Sequence, residues 1–263
     1  MVDIEAVLAD LAAEGDELDL LVADLEPAAW QRDTPAAGWT IAHQIGHLNW
    51  TDKVAAIAAT DAEKFQELVR EALPKVLTFV DEAAEEAAKT PAPELLADWR
   101  NDRKALVDAL RRVPAGTKLP WFGPPMSVAS MATARLMETW AHGQDVADAL
   151  GVTRTPTPRL RHVAHIGVRT RNFAYLTHGK DAPAEEFRVE LTAPDGSLWT
   201  WGPEDAAQRI SGPALDFCQL VTQRRHIDDL ALEVQGADAL EWLGLAQAFA
   251  GPPGSGRTAG QFA

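Results

Sequence analysis

Residues 38–48 of this 263-residue chain are GWTIAHQIGHL, a stretch that combines a helix start with two histidines. Thr40 suits the position before a helix, because its hydroxyl can accept a hydrogen bond from an unpaired backbone N–H of the first turn. His43 and His47 are four residues apart, so a helix directs both imidazoles to one face, about one turn apart. The pattern predicts a helix over about 41–60 that bears two histidines among apolar residues.

A later stretch, METWAHGQD at 137–145, has the same spacing with a carboxylate. Glu138 and His142 share one face of a predicted helix, as a chelating pair requires. Two histidines and one carboxylate from facing helices would leave one coordination position of zinc open, as in catalytic zinc sites. Spacing alone leaves a surface helix contact open as the alternative. The apolar neighbours favour an inward direction, where an unpaired imidazole or carboxylate is costly.

Helical spacing of apolar residues extends through the first 150 residues. Helices are predicted over about 2–25, 41–60, 61–88, 94–113 and 127–150, with Gly151 as the C-terminal stop. The segment TRTPTP at 153–158 marks a boundary between domains 1–152 and 153–263. The second domain is predicted to contain strands over 187–192, 197–201, 209–211 and 230–234 and helices over 159–178, 213–222 and 238–249. A helical part followed by a strand-rich part predicts an α+β fold.

Charge and cysteine content argue against several classes of binding partner and metal site. The formal charge is −15, and no basic cluster is long enough to suggest binding to nucleic acid. The one cysteine, Cys218, excludes a disulfide within the chain and a cysteine-rich metal site. The acidic N-terminus is not typical of a targeting peptide, and no stretch has the length of a membrane span. We therefore expect a cytoplasmic protein with small-molecule partners, and the sequence leaves its oligomeric state open.

The stretch 38–48, together with Glu138, His142 and Asp145, resembles the metal-binding pattern of the DinB-like superfamily, specifically of the mycothiol-dependent maleylpyruvate isomerase family. This resemblance implies an N-terminal four-helix bundle that binds a divalent metal, usually zinc, through His47, Glu138 and His142. It covers most of the chain, since residues 212–216 with the later Arg224 look like that family's smaller C-terminal α+β domain.

The resemblance also assigns roles around the metal. His43 stands where family members more often have Asp, so it is expected either as a polar group beside the ligands or as a fourth ligand. Asp145 is expected to orient an imidazole or to bind part of a ligand. Arg224 either binds a substrate carboxylate through two parallel hydrogen bonds or is a surface arginine. Trp50 and Trp140 are expected to line the pocket in which the thiol cofactor binds.

The function implied is that of a zinc-dependent enzyme with mycothiol as co-substrate, which isomerises a small electrophile or transfers sulfur to it. A thiol bound at the open metal position would become a thiolate and attack the substrate. Cys218 lies in an apolar helical segment where a thiol is usually inert, so the reactive thiol is expected from outside the chain. Two alternatives are a non-catalytic metal- or small-molecule-binding bundle, in which the metal site would be closed, and a thiol-independent, metal-assisted hydrolase.

Overall fold

The computed structural model describes residues 3–262, so Val2, where the first predicted helix begins, and residues 1 and 263 lie outside the described residues. The chain divides into two compact units between Thr153 and Arg154. Within residues 3–262, no helix is both long enough and apolar enough to cross a lipid bilayer. The elements are α1 (Ile4–Val22), α2 (Ile41–Thr60), α3 (Ala62–Ala72), α4 (Phe79–Ala88), α5 (Ala92–Arg112), β1 (Lys118–Leu119), β2 (Met126–Ser127), α6 (Val128–Leu150), α7 (Leu160–Arg169), α8 (Arg171–Thr177), β3 (Arg188–Thr192), β4 (Leu198–Trp201), β5 (Arg209–Pro213), α9 (Ala214–Val221), β6 (Glu233–Gln235) and α10 (Ala237–Leu245).

The first unit is a four-helix bundle. Helices α1 and α2 each contact both α5 and α6, and the shorter helices α3 and α4 contact α2. The second unit combines helices with a four-stranded sheet. The predicted α+β fold with an N-terminal four-helix bundle is therefore confirmed.

Helix α2 is the most deeply packed element of the bundle. Ile41, Ile45 and Leu48 have no exposed surface and belong to a core cluster with Trp99 of α5 and Val146 of α6. Burying an aliphatic side chain of this size contributes about 1.5–3 kcal/mol. This packing fixes the rotation of α2 and places the polar residues between these apolar positions inside the bundle.

The predicted single helix over 61–88 is wrong. The chain forms α3, a 3-10 turn at Leu73–Lys75, and then α4. Pro74 lies in this turn, and proline removes a backbone N–H and clashes with the carbonyl of the preceding helical turn. The segment between α5 and α6, for which the sequence analysis gave no helix, contains the short antiparallel pair of β1 and β2.

The predicted helix over 159–178 is also wrong, because it is two helices that meet at Thr170. The Thr170 hydroxyl donates to the carbonyls of Ile166 and Gly167, a local bond that competes with continued helical pairing. Other boundaries also differ from the sequence prediction, and α1 ends at Val22 rather than near 25. Strand β6 begins three residues later than expected, and α10 ends at Leu245 rather than near 249.

The sheet of the second unit has the strand order β4-β3-β5-β6. Strands β3 and β4 form the predicted antiparallel hairpin, in which Val189 pairs with Trp201. The turn between them requires Gly196, whose φ of 81° lies in the left-handed region that favours glycine. Strands β3 and β5 are parallel, with Val189 beside Ile210, and β6 adds an antiparallel edge.

Gly46 allows α4 to approach α2 closely, beside His47. A Cβ added at Gly46 would lie 2.7 Å from the Cβ of Ala87, too close for two carbon atoms. We expect Gly46→Ala to lower the free energy of unfolding by about 1–3 kcal/mol, the usual cost of overpacking. Thermal and urea unfolding measure this effect.

Gly244→Ala on α10 is the matched control, because a Cβ there meets nothing within 4 Å. The control should be neutral or gain up to about 1 kcal/mol of helix propensity. Equal stability of both variants would contradict the close packing.

Candidate functional site

Three potential metal ligands converge between α2 and α6. His47 comes from α2, and Glu138 and His142 come from α6. One ligand atom of each residue lies within 4.8 Å of those of the other two. His47 and His142 are buried, and Glu138 is half-buried. The i, i+4 pair on α6 and the single histidine on α2 therefore meet on facing helices, as the bundle geometry requires.

The two imidazoles stabilise the ionised form of Glu138. Its Oε2 lies 3.2 Å from Nε2 of His142 and 3.7 Å from Nε2 of His47. Burial raises the pKa of Glu138, but the neighbouring imidazoles of His142 and His47 outweigh it and hold this pKa well below its usual value. At neutral pH the carboxylate is therefore charged, as a metal ligand must be.

Gln44, one turn before His47 on α2, contacts the opposite edge of the His142 ring. Its Oε1 lies 2.5 Å from Nδ1 of His142, and the Gln44 side chain has no exposed surface. Sequence reasoning did not identify Gln44, since a glutamine inside a helix carries no spacing signal.

A buried ion pair joins α2 and α6 beside the ligands. Nε of Arg135 donates to Oδ1 of Asp52 at 3.0 Å, and both side chains are at most 4% exposed. Burial raises the pKa of Asp52, and Arg135 opposes that rise. Removing one partner of such a pair typically costs about 3–5 kcal/mol, because the other charge is left unpaired. Sequence reasoning missed this pair too, since its members are 83 positions apart.

Two indoles flank the imidazoles. The ring of Trp39 is stacked on that of His142 with centroids 5.9 Å apart, and it lies 5.3 Å from the ring of His47. The ring of Trp50 lies 6.2 Å from that of His47 and is stacked on Phe122. Trp50 thus adjoins the ligands, and its role in lining the pocket stays a prediction. The sequence analysis gave no role to Trp39. Its place in the Gly-Trp-Thr segment was the available signal.

A family model described as the mycothiol maleylpyruvate isomerase N-terminal domain matches residues 11–147, more than half of the chain. The chain belongs to this family. A second model, described as wyosine base formation, matches residues 183–234. The second match covers too little of the chain to show a family.

Curated relatives and solved structures agree with membership of the mycothiol maleylpyruvate isomerase family. The chain is 59% identical over 257 residues to the uncharacterized proteins MT0041 and Rv0036c of Mycobacterium tuberculosis strains CDC 1551 / Oshkosh and ATCC 25618 / H37Rv, covering 98% of this chain and 100% of each relative. The crystal structure of the mycothiol-dependent maleylpyruvate isomerase is similar, with a TM-score of 0.58 at 14% identity over 85% of this chain and 90% of that chain. A histidine-to-alanine mutant of that enzyme gives a TM-score of 0.60 at 16% identity over the same shares. At these identities the structures show a common fold.

The residues of the three-ligand group fit a divalent metal. Two imidazoles and one carboxylate are the donor set of many catalytic zinc sites. The pKa of Glu138 is already low, and Nδ1 of the buried His47 has no hydrogen-bond partner within residues 3–262. Buried polar atoms are rarely left unpaired, so this imidazole is not satisfied by the surrounding protein alone.

His43 lies outside the three-ligand group. Its Nδ1 accepts a hydrogen bond from the backbone N–H of Thr40 and lies 2.8 Å from the Thr40 hydroxyl. Its Nε2 lies 2.9 Å from Oε2 of Glu85, and this bond holds the pKa of Glu85 below its usual value. Both ring nitrogens are therefore engaged at the start of α2 and with α4. The role expected for His43, as a polar group beside the ligands or as a fourth ligand, stays a prediction.

The other predicted site residues lie on α6 or in the second unit. Trp140 is 5% exposed and two residues from both Glu138 and His142; residues at that spacing do not share a helix face. The role of Trp140 in lining the pocket stays a prediction. Asp145 is fully buried on α6, about one turn after His142. Arg224 follows α9, and its Nη1 donates to the carbonyl of Thr222 at 2.6 Å. The roles of Asp145 and Arg224 stay predictions.

The ligand assignment predicts opposite effects for two histidines on α2. His47→Ala, like His142→Ala on α6, should weaken zinc binding by at least about 100-fold, since loss of a ligand exceeds the 10–100-fold cost of losing an outer-shell partner. His43→Ala should retain zinc, because its ring nitrogens already bond to Thr40 and Glu85. Metal analysis after dialysis and calorimetric titration measure both. Zinc loss in His43→Ala at the level of His47→Ala would contradict the assignment.

Proposed function

We propose that this protein is a zinc-dependent enzyme that uses mycothiol to isomerise a small electrophilic substrate or to transfer sulfur to it. The observation that carries the proposal is the convergence of His47, Glu138 and His142 in a chain of the mycothiol maleylpyruvate isomerase family. The similar solved structures belong to a mycothiol-dependent isomerase. A co-substrate thiol must stay reduced, so the proposal agrees with the cytoplasmic location expected from the sequence.

The engagement of His43 supports an open metal site. A closed, structural site would need a fourth protein ligand, and His43 was the sequence candidate for it. Its Nδ1 accepts from Thr40 and its Nε2 faces Glu85. With His43 occupied in this way, three protein ligands leave a coordination position for an exogenous ligand, which favours an enzyme over a closed binding site.

Each residue of the site has a distinct task in this proposal. A divalent metal held by the three ligands would lower the pKa of a bound thiol, so that a thiolate is available at neutral pH. The stacked Trp39 and the neighbouring Trp50 shield the imidazoles and offer apolar surfaces for the thiol or the substrate. Asp145 would orient an imidazole or bind part of a ligand, and Arg224 would bind a substrate carboxylate, as the family resemblance implies.

For isomerisation, the thiol supplies the nucleophile and is returned unchanged. Its sulfur forms a bond to one carbon of a conjugated cis double bond, and the electron pair of that bond moves into the adjacent carbonyl group. Rotation about the resulting single bond and expulsion of the thiolate then give the trans alkene. For S-transfer, the sulfur stays bound to the substrate and a leaving group takes the electron pair. Both reactions share the thiolate and differ only in the substrate.

Thiol-dependent turnover is the direct test. The purified, zinc-loaded protein is incubated with mycothiol and a panel of conjugated cis-alkenes and alkylating electrophiles, and products are followed by mass spectrometry. We expect product only when zinc, mycothiol and protein are all present. His142→Ala should fall to the buffer rate, and His43→Ala is the matched control for a histidine outside the ligand group. Turnover without thiol would point to hydrolysis, and turnover by metal-free protein would contradict the proposal.

The proposal also requires the chain's own thiol to be inert. Cys218 has no exposed surface, its Sγ lies 3.4 Å from the carbonyl of Leu160, and burial raises its pKa well above the usual value. At pH 8 we expect iodoacetamide to label Cys218 only after denaturation, and Cys218→Ala to keep thiol-dependent activity. Intact-mass spectrometry follows the labelling. Rapid labelling of the native protein together with loss of activity in the variant would assign a chemical role to Cys218.

A further inference from the structure

A buried chain of hydrogen bonds ends on the ring of His142. Oε1 of Gln44 faces Nδ1 of His142 at 2.5 Å. On its other side, Nε2 of Gln44 donates to the hydroxyl of Thr34 at 2.9 Å. That hydroxyl donates to the backbone carbonyl of Trp39 at 2.7 Å. Gln44 has no exposed surface and Thr34 is 8% exposed, so the chain is shielded from solvent.

The last acceptor sets the direction of every bond in this chain. The carbonyl of Trp39 can only accept, so the single hydroxyl hydrogen of Thr34 points toward it. The hydroxyl then offers lone pairs to Gln44, which must turn its NH₂ group toward Thr34 and its oxygen toward His142. The reversed amide would set two acceptor oxygens against each other in a buried place, where an unmade hydrogen bond is costly.

An amide oxygen beside Nδ1 requires a proton on that nitrogen. Nδ1–H of His142 therefore donates to Gln44, which leaves Nε2 as the ring atom that a metal can bind. Nε2 is also the atom that lies 3.2 Å from Oε2 of Glu138. The hydrogen bonds from Thr34 through Gln44 thus direct Nε2 of His142 toward the other two candidate ligands.

We propose that Gln44 is a positioning residue of the candidate metal centre, which fixes the Nδ1–H tautomer and the ring orientation of His142, and that Thr34 fixes the orientation of the Gln44 amide. The inference rests on the metal centre of the proposed function. Outer hydrogen-bond partners of this kind often are carboxylates. A neutral amide orients the ring without adding negative charge. The metal-loaded centre therefore keeps a higher positive charge than it would beside a carboxylate.

Zinc binding alone tests the proposal, with neither thiol nor substrate present. Zn²⁺ is titrated into the metal-free, full-length protein by calorimetry with a competing chelator. We expect Gln44→Leu, which removes the acceptor, to bind zinc roughly 10- to 100-fold more weakly, as is typical for loss of an outer-shell partner. Gln44→Glu keeps an acceptor toward His142 and should bind zinc more tightly than Gln44→Leu.

Thr34→Val tests the same chain while Gln44 stays in place. Without the Thr34 hydroxyl, the amide can take either orientation, so we expect weaker zinc binding than in wild type. Thr51→Val is the matched control, because the Thr51 hydroxyl donates to the backbone carbonyl of His47 and takes no part in the hydrogen bonds that link Thr34 to His142. It should bind zinc as wild type does. Thermal unfolding of each variant reports whether the fold is kept. If Gln44→Leu does not fold, Thr34→Val alone tests the proposal.

The hydrogen bond of the His142 Nδ1–H is the readout that a merely structural role would not change. Nitrogen-15 NMR of the zinc-loaded protein should show the His142 proton on Nδ1, hydrogen-bonded to Gln44, in wild type and in Thr51→Val. In Gln44→Leu and Thr34→Val this Nδ1–H should shift upfield and exchange faster with solvent, because its acceptor is removed or misoriented. Wild-type affinity in both Gln44→Leu and Thr34→Val, or a proton on Nε2 in wild type, would overturn the inference alone. Failure of the wild-type protein to bind zinc would overturn both this inference and the metal centre.

Discussion

The buried ion pair between Asp52 and Arg135 fixes the two ligand-bearing helices against each other, and the rest of the site depends on that contact. Two further polar contacts between α2 and α6 join Gln44 with His142 and His47 with Glu138. Positions rise along α2 as they fall along α6, so the helices are antiparallel and the links follow each other about every turn. A shift of either helix by one turn would break all three links.

His43 and His47 lie on one face of α2 but make different contacts, because they lie at different distances from the start of the helix. His43 lies in the first turn of α2, where backbone N–H groups have no partner within the helix. Its ring turns back to the N–H of Thr40 and reaches Glu85 on α4. His47 lies one turn further along, where the backbone is satisfied, and its ring is directed to Glu138. Of the two histidines at this spacing, His47 is therefore a candidate metal ligand, and His43 bonds to groups at the start of the helix and on α4.

Local sequence signals located most elements of the fold. Apolar periodicity predicted α2 and α6 closely, and Gly151 ends α6 in a left-handed conformation, with φ of 67°. The errors came where one residue changed a local hydrogen bond within a continuous apolar pattern. Pro74 divides the third predicted helix, and the Thr170 hydroxyl takes carbonyls of the turn before it. Apolar periodicity indicates which face of a helix is buried, but it does not reveal a single residue that interrupts the helical hydrogen bonds.

The sequence alone determined which residues have the chemistry of a ligand and which helix face they share, because helical phase follows from spacing. It thus proposed His47, Glu138 and His142, and the family resemblance selected His47 over His43. Only the tertiary structure decided their surroundings: the amide of Gln44 on His142, the indole of Trp39 stacked on the same ring, and the pairing of Asp52 with Arg135. These contacts join positions 83 to 103 apart. Their partners are chosen by the packing of α2 against α6, which no local pattern encodes.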